Sequence, residues 1–306
     1  MISPVTPTTW LTGYIPDLPT PFDQADRIDL RALERLCGCQ IAAGVSAMVA
    51  CETAGEAPTL STAERDTIIR AAVEITRGRA RIIAGAGSNS TSRAIELTRR
   101  AEAAGADAVL SVVPYYNKPM QNGLYAHFQA IAASTELPVI LHDIPARTIR
   151  ELADDTLIRL TESKKFIGLR DGTGDVYPSD AVALHAAAEL SDDVRARRDS
   201  IGLCCRRRRW LHFNDVECDA GPLLRSSFQP DAGAPADRAI PSEAAGSARG
   251  LPFERYPRCP KYALSLLGLM DSGTRLPIVP LAGPANAAIA KAIAGIDDDL
   301  AGAAEG

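Results

Sequence analysis

One basic residue at the end of an apolar run has the type and position of a chemically active side chain. Residues 166–175 read FIGLRDGTGD, so that apolar or small residues lead to Arg170 and a glycine-rich turn follows it. This pattern predicts a buried parallel strand that presents Arg170 at the mouth of the fold. A guanidinium there can bind a carboxylate through two hydrogen bonds. It stays protonated at biological pH, so it offers no lone pair for attack on a carbonyl.

Three other loops that follow apolar runs also carry polar side chains. They read ETAGE (52–56), PYYNKP (114–119) and HDIPAR (142–147). In a parallel α/β barrel the carboxyl ends of the strands meet on one face, where catalytic loops are placed. These loops and Arg170 therefore predict a hydroxyl-rich, arginine-bearing rim suited to a small carboxylate.

The elements that must position this rim alternate regularly. From residue 13 to residue 175 an apolar strand, a loop and an amphipathic helix recur, with candidate strands at 14–18, 47–50, 81–84, 108–112, 139–142 and 166–170. Asp29 is a helix N-cap, Ser61 and Glu64 form a capping box, and Ser90 or Ser92 opens a third helix. Strict alternation of this kind predicts a parallel sheet with helices outside it.

The loop after the first candidate strand separates a barrel from an open nucleotide-binding sheet. It reads PTPF (19–22), and the nearest glycine-rich match, GAGS (85–88), lacks the third glycine of a phosphate loop. We therefore predict an α/β fold, a (β/α)8 TIM barrel with a C-terminal helical extension. The barrel is assigned to residues 1–235 and the helices to 236–306, including amphipathic segments at 262–270 and 284–296.

Composition excludes several classes of function. The 306 residues carry a net charge of −5, which argues against a nucleic-acid or anionic-membrane partner. There is no apolar run long enough to cross a membrane and no secretory signal at the start, so we expect a cytoplasmic protein. Cys37, Cys39 and Cys51 lie in apolar surroundings without metal-ligand spacing, and we interpret them as small buried hydrophobes. Neither a metal nor a cofactor is expected.

Taken together, the rim motifs resemble a known enzyme family. The TAGE sequence at 53–56, the 114–119 loop with the GL (123–124) and HF (127–128) pairs, and the IPART sequence at 144–148 are similar to the dihydrodipicolinate synthase / N-acetylneuraminate lyase family of class I aldolases. The resemblance covers residues 14–175 and returns at 261–281. It implies a (β/α)8 barrel, a homotetramer or dimer, and pyruvate or a related 2-oxo acid bound as an imine on a lysine.

The resemblance also assigns roles by position. Thr53, with the backbone of Ala54, is expected to bind the keto-acid carboxylate and to begin a proton relay. Tyr116 completes that relay across a dimer, and Arg147 pairs with a carboxylate of the second substrate. Simpler interpretations are an interface aromatic for Tyr116 and a helix-end charge for Arg147. His127 lies on a helix face beside Phe128 and is assigned to structure.

The chain departs from the family pattern at three positions. Ala54 replaces a second threonine, His142 stands at the relay tyrosine position, and Arg170 stands at the Schiff-base lysine position. A histidine can still move protons near neutral pH. An arginine cannot form the imine, because that step needs a neutral amine.

No other lysine is an obvious replacement. Lys164 and Lys165 enter the strand at its opposite end, roughly 16 Å from Arg170, and Lys118 is a weaker candidate on the rim. We expect a lyase- or aldolase-type family member that acts on a small 2-oxo acid without Schiff-base chemistry. Two alternatives stay open: a non-catalytic carboxylate-binding relative that serves as a sensor or assembly partner, and a barrel lyase that enolises its substrate with His142 as the base.

Residues 177–260 interrupt the alternation where strands seven and eight are expected. They contain a basic run at 206–209 and a low-complexity stretch at 230–250. Permissible codons for residues 202–218, read one base later, spell AFAAAGGDGCISMTSNV, which resembles the family's seventh and eighth strands. We hypothesise a compensated frameshift in the gene or in its recorded sequence, and a divergent insertion is the alternative. An intact mass equal to that of the printed residues would exclude a recording error.

Overall fold

The computed structural model describes residues 10–11, 14–172, 257–281, 283–287 and 289–291. These residues fall into two compact units. The described part of the first unit comprises residues 10–11, 14–15, 46–49 and 81–172, and that of the second comprises 16–45, 50–80 and the segments from 257 onward. In chain order the elements are α1 (Leu30–Ala42), β1 (Ala47–Ala50), α2 (Thr62–Thr76), β2 (Arg81–Gly85), α3 (Thr91–Ala103), β3 (Ala108–Val112), α4 (Gln121–Ala132), β4 (Val139–Asp143), α5 (Pro145–Thr148), α6 (Asp154–Thr161), β5 (Phe166–Asp171) and α7 (Arg258–Leu266).

The first unit is built on a sheet whose strands follow the order β1-β2-β3-β4-β5. The pairs β2–β3, β3–β4 and β4–β5 are parallel, and helices α3, α4 and α6 form the connections between them. Each strand therefore lies beside the next strand in the sequence, which is the arrangement that strict β-α alternation predicts. The α/β fold with a parallel sheet is confirmed.

One face of this sheet carries the apolar core of the first unit. The cluster consists of alternate strand residues together with two residues from the N-terminal segment: Leu11, Ile15, Ala47, Val49, Ile83, Ala108, Leu110 and Ile140. Because side chains alternate across a strand, residues two positions after the last members of the cluster point to the same face. This geometry determines which strand-end residues lie above the core.

The second unit is helical in its described part and begins with well-capped helices. The Asp29 carboxylate accepts the N–H groups of Arg31 and Ala32 at the start of α1. Ser61 and Glu64 form the reciprocal capping box of α2. Ala32 and Leu36 of α1 pack with Leu264 of α7 and Met270, so the C-terminal segment contributes to the core of this unit.

Most sequence predictions of elements are confirmed, including five of the six candidate strands and the N-terminal positions of α1, α2 and α3. Residues 14–18 are wrong as a strand: they contain a single isolated bridge at Asp17. Pro16 removes one backbone N–H donor from this segment and Pro19 removes another directly after it, which explains why a regular ladder does not form.

The C-terminal helix also differs from its prediction. It ends at Leu266 rather than including residues 269–270, because Gly268 adopts a left-handed conformation with φ of 69°. Residues 284–287 and 289–291 are helical, as predicted for 284–296. The predicted boundary at 235/236, strands seven and eight, and the 177–260 segment lie outside the described residues.

Candidate active site

Two polar side chains lie side by side at the ends of β4 and β5. His142 and Arg170 are direct register partners in the parallel pair. They follow Ile140 and Gly168 by two positions, so both point to the face that carries the apolar core. His142 is fully buried and Arg170 is only 4% exposed. The first unit thus places an imidazole and a guanidinium together in a largely water-free position at the carboxyl ends of neighbouring strands.

The next register pair, Asp143 and Asp171, points to the other face of the sheet. Asp143 is 2% exposed, and its Oδ2 accepts the N–H of Leu152 at 2.8 Å, which anchors the segment after α5. Burial, with smaller contributions from the charges of Asp171 and Glu151, raises the pKa of Asp143 to about 7. Sequence reasoning missed this carboxyl, although its position directly after His142 in a buried strand was a usable signal.

Arg147 lies on the exposed side of α5, a single helical turn. The turn is held by Thr148, whose buried hydroxyl lies within hydrogen-bond distance of the carbonyls of Ile144 and Arg150. An exposed guanidinium on a turn anchored in this way can approach a ligand that enters from solvent. The predicted role of Arg147 toward a second carboxylate stays a prediction.

The 114–119 loop presents its aromatic residues to solvent. Tyr116 is 89% exposed and adopts φ of 72°, and Lys118 is exposed with φ of 45°. Left-handed backbone is uncommon for residues other than glycine, asparagine and aspartate. The loop is anchored by Asn117, whose amide donates to the carbonyl of Asn89 at 2.8 Å. The side chain of Tyr116 is accordingly available to a second molecule.

In the second unit, residues 53–56 form a tight turn. The Thr20 hydroxyl donates to the carbonyl of Gly55 at 2.7 Å, and the Ala54 N–H donates to Asp17 Oδ2 at 3.2 Å. A Cβ on Gly55 would lie 3.1 Å from the Cys51 nitrogen, a tight contact with backbone that favours glycine at this position. Thr53 is half-buried and Ala54 is fully buried. The predicted role of Ala54 rests on its backbone, and Asp17 already uses the Ala54 N–H.

The 53–56 turn ends at Glu56, which forms a buried ion pair with Lys261. Sequence reasoning assigned no chemistry to either residue or to the C-terminal segment. The separation of 205 positions explains this omission, because only the tertiary fold brings α7 to the turn.

Neither Lys165 nor Lys118 supplies a buried amine near the carboxyl end of β5. Lys165 Nζ donates to the carbonyl of Thr135 at 2.8 Å and pairs with Glu136, both of which precede the start of β4. Its side chain therefore lies at the amino end of the sheet, as predicted from spacing. Lys118 is exposed, which leaves its amine hydrated rather than desolvated.

One histidine and two cysteines that could in other surroundings be reactive lie in buried positions typical of structural residues. His127 Nδ1 lies 3.0 Å from the Thr91 hydroxyl, its ring packs edge-on against Phe128, and burial lowers its pKa to about 4. Burial raises the pKa of the Cys37 and Cys51 thiols to about 12, so these thiols are unreactive.

Within the described ranges, no group of three or more His, Cys, Asp or Glu side chains could hold a metal ion. None of the helices there is long and apolar enough to span a membrane.

Comparison with known proteins defines the family. A profile described as "Dihydrodipicolinate synthetase family" matches residues 10–191. The chain belongs to this family. The 4-hydroxy-tetrahydrodipicolinate synthase of Laribacter hongkongensis is 38% identical over 277 residues, which cover 89% of this chain and 94% of the relative.

Solved structures of family members have the same fold. The dihydrodipicolinate synthase of Acinetobacter baumannii, complexed with pyruvate, superposes with a TM-score of 0.75 at 35% identity and covers 92% of this chain and 97% of that one. The enzyme of Cyanidioschyzon merolae with lysine bound gives a TM-score of 0.72 at 28% identity, with coverages of 92% and 97%. The fold therefore matches the TIM-barrel structures of the dihydrodipicolinate synthetase family. The profile match ends at residue 191, inside the 177–260 segment.

Proposed function

We propose that this family member binds pyruvate or a related small 2-oxo acid through Arg170 and does not form an imine with it. The observation that carries the proposal is the buried pair of His142 and Arg170, in direct register at the ends of β4 and β5. A cation in such a position favours an anionic ligand, because the low dielectric strengthens their attraction. The planar guanidinium also matches the two oxygens of a carboxylate.

The absence of imine chemistry follows from the electronic structure of arginine. A Schiff base requires an uncharged nitrogen that attacks the ketone carbon and later loses its second proton. The guanidinium keeps its proton at any biological pH, and its lone-pair density is delocalised over three nitrogens. A 2-oxo acid beside Arg170 would therefore be held by hydrogen bonds and charge alone.

The other residues assigned from the family resemblance have roles in substrate recognition and assembly in this proposal. The half-buried Thr53 hydroxyl is assigned to the keto-acid carboxylate, whereas the Ala54 N–H must first be released by Asp17. Arg147 is exposed and is assigned to a carboxylate of the second substrate. The exposure of Tyr116 supports a role toward a second copy of the chain, and we propose a homo-oligomer, either a tetramer or a dimer.

A second candidate function is imine-independent enolisation, and the position of His142 favours it. The imidazole lies beside the guanidinium on the same face of the sheet. Arg170 would stabilise the negative charge that develops on the substrate oxygen while His142 takes a proton from the adjacent carbon. If His142 takes no proton, the same arrangement describes the alternative of a carboxylate-binding relative without catalytic activity.

Reductive trapping tests the proposal directly. The protein is incubated with pyruvate and borohydride, and its intact mass is measured, while pyruvate binding is followed by calorimetry. We expect binding without a mass increase. A covalent adduct would refute the absence of an imine, and a failure to bind pyruvate or related 2-oxo acids would refute the proposed ligand class.

Matched variants locate the binding residue. Arg170→Met is expected to weaken pyruvate binding by at least about tenfold, the usual loss for a charged hydrogen-bond partner. Arg159→Met removes a guanidinium on α6 that stacks over Tyr125 at 4.0 Å, and it should leave the affinity unchanged. Equal weakening in both variants would argue against a specific role for Arg170.

Hydrogen exchange at the pyruvate methyl group separates the enzyme from the binding module. In deuterium oxide, an enolising protein transfers deuterium to the methyl group, and proton NMR measures this transfer. If His142 is the base, His142→Gln abolishes the exchange while binding persists. Binding without exchange in the wild-type protein would favour the non-catalytic alternative.

A further inference from the structure

The 53–56 turn is held from within the second unit by residues that sequence reasoning did not connect to it. Glu56 closes the turn in a left-handed conformation, with φ of 53°. This backbone is unfavourable for a residue with a long side chain. The Glu56 N–H donates to the Thr53 carbonyl at 3.3 Å, and the Ala57 N–H donates to the Glu52 carbonyl at 3.1 Å. A conformation of this kind persists only where surrounding contacts determine it.

The carboxylate of Glu56 supplies those contacts through both of its oxygens. Oε1 pairs with Lys261 Nζ, and Oε2 accepts the backbone N–H of Arg275 at 2.9 Å. Both side chains of the ion pair have no exposed surface. Glu56 thereby connects the turn to α7 and to the segment after it.

Lys261 is equally well satisfied. Its ammonium group donates to the Gly273 carbonyl at 2.8 Å and lies 4.2 Å from the centre of the Phe22 ring, in addition to pairing with Glu56. Two of these interactions are with oxygen acceptors, and the third is an attraction between the ammonium charge and the face of the aromatic ring. Burial lowers the pKa of Lys261 below its ordinary value, and the Glu56 carboxylate offsets only part of this shift.

A buried ion pair of this kind contributes little net stability, because the cost of desolvating two charges offsets their attraction. Apolar residues of similar volume would serve packing equally well. The specific consequence of the pair is geometric: it sets the position of Glu56, and through it the backbone that carries Thr53 and Ala54.

We infer that Glu56 and Lys261 are positioning residues that hold the 53–56 turn in its ligand-binding conformation. The inference rests on the proposed function for the assignment of Thr53 to a keto acid. The positioning itself depends only on contacts within the second unit. Neither residue touches the substrate in this proposal, since their charged groups are already engaged with each other, with the Gly273 carbonyl and with the Arg275 N–H.

Amide hydrogen exchange is the test that does not depend on ligand. In Lys261→Met, and in the milder Glu56→Gln, the amides of Ala54, Glu56 and Ala57 are expected to exchange at least about tenfold faster, because local opening of the turn becomes easier. Leu33→Ala is the matched control, as it removes a fully buried side chain from α1 of the same unit. All variants are measured well below their unfolding temperatures, with amides of α2 as the internal reference.

The outcomes decide between positioning and plain stability. Faster exchange confined to the turn in the Glu56 and Lys261 variants supports the inference. Equal acceleration of the turn and of α2, or the same pattern in Leu33→Ala, would overturn it. If Lys261→Met fails to fold, Glu56→Gln gives the answer alone, because its amide keeps the volume and the acceptor for the Arg275 N–H.

Pyruvate affinity supplies the functional readout. Calorimetry is expected to show binding weakened by about tenfold in Lys261→Met and unchanged in Leu33→Ala. Unchanged affinity in a variant whose turn exchanges faster would overturn the link to the ligand. If the wild-type protein does not bind pyruvate, the proposed function fails, and the exchange experiment still decides the positioning role.

Discussion

Two carboxyl groups, one in each unit of the molecule, have opposite environments. In the first unit, burial raises the pKa of Asp143 to about 7. Its Oδ2 accepts the Leu152 N–H, and its Oδ1 has no hydrogen-bond partner among the described residues. In the second unit, Glu64 receives two hydrogen bonds from the Arg275 guanidinium, which lowers its pKa to about 2.

The buried cations of the two units differ in chemical type. Lys261 in the second unit has a carboxylate partner within its own unit, and its amine could in principle lose its proton. Arg170 in the first unit is a permanent cation at a strand end that faces the apolar core. The comparison indicates that the second unit uses charge to hold backbone in place. In the proposed function, the charge of the first unit serves to bind a ligand.

Replacing Arg170 with lysine is expected to have the largest effect on this comparison. Arg170→Lys places a desolvated amine in the strand-end position, so it should form an imine with pyruvate that borohydride traps as a mass increase. The wild-type protein should show none. Arg159→Lys, on the surface of α6, is the matched control. An unmodified Arg170→Lys variant that still binds pyruvate would show that the site lacks other requirements for carbonyl attack.

Asp143→Asn tests the uncompensated carboxyl of the first unit. Since its folded pKa of about 7 exceeds the ordinary value of 3.8, ionisation opposes folding, and stability falls as pH rises from 3.8 to about 7. Asparagine cannot ionise and keeps an acceptor for the Leu152 N–H. The free energy of unfolding of the variant should therefore rise relative to that of the wild type by on the order of 3 kcal/mol as the pH increases from 4 to 8. Urea unfolding measures this difference. Asp155→Asn, an exposed change on α6, is the control, and an equal gain there would contradict the prediction.

Arg275→Met tests the compensated carboxylate of the second unit. Loss of the guanidinium should lower the free energy of unfolding at pH 7 by roughly 1–2 kcal/mol. Because the Glu64 pKa is depressed from 4.5 to about 2, its contribution is present above pH 4.5 and is lost as pH falls toward 2. The difference in the free energy of unfolding between wild type and variant should therefore become smaller as the pH falls from 4.5 toward 2. Arg27→Met removes an exposed pair with Asp23 and should cost much less.

The smallest pH-dependent change is expected in the charge of the His127 ring in the first unit. Since burial lowers its pKa to about 4, the imidazole should stay neutral between pH 5.5 and pH 8. Carbon-13 histidine NMR should show no shift of its ring signal over that range. The same residue in the urea-unfolded chain should titrate near its ordinary value of 6.5 and provides the reference. A titration near neutral pH in the folded protein would mean that the ring is hydrated.

Local patterns predicted much of the fold because they act over short distances. The capping residues Asp29 and Ser61 use backbone N–H groups two or three positions ahead, so a short window of sequence contains both partners. The buried strands are read from apolar runs. Residues 14–18 misled the same reasoning. Their apolar character predicted a strand, whereas Pro16 within the segment and Pro19 directly after it lack the N–H donors that a ladder needs.

The candidate site was only partly predictable, because its geometry depends on the alignment of segments that are distant in the sequence. Spacing located Arg170 and His142 at strand ends, yet their adjacency depends on the register between β4 and β5. That register contains a bulge beside Val139, which no local pattern indicated. The roles of Thr53, Tyr116 and Arg147 came from family resemblance and stay predictions.

The sequence by itself determined the parallel α/β architecture, the family, and the presence of a guanidinium at the end of the last described strand. These properties follow from residue type and short-range periodicity. Only the tertiary structure decided that Asp143 is buried with a raised pKa and that Lys261 holds Glu56 across 205 positions. Burial and long-range pairing arise when distant segments exclude water together, and a linear pattern does not contain that information.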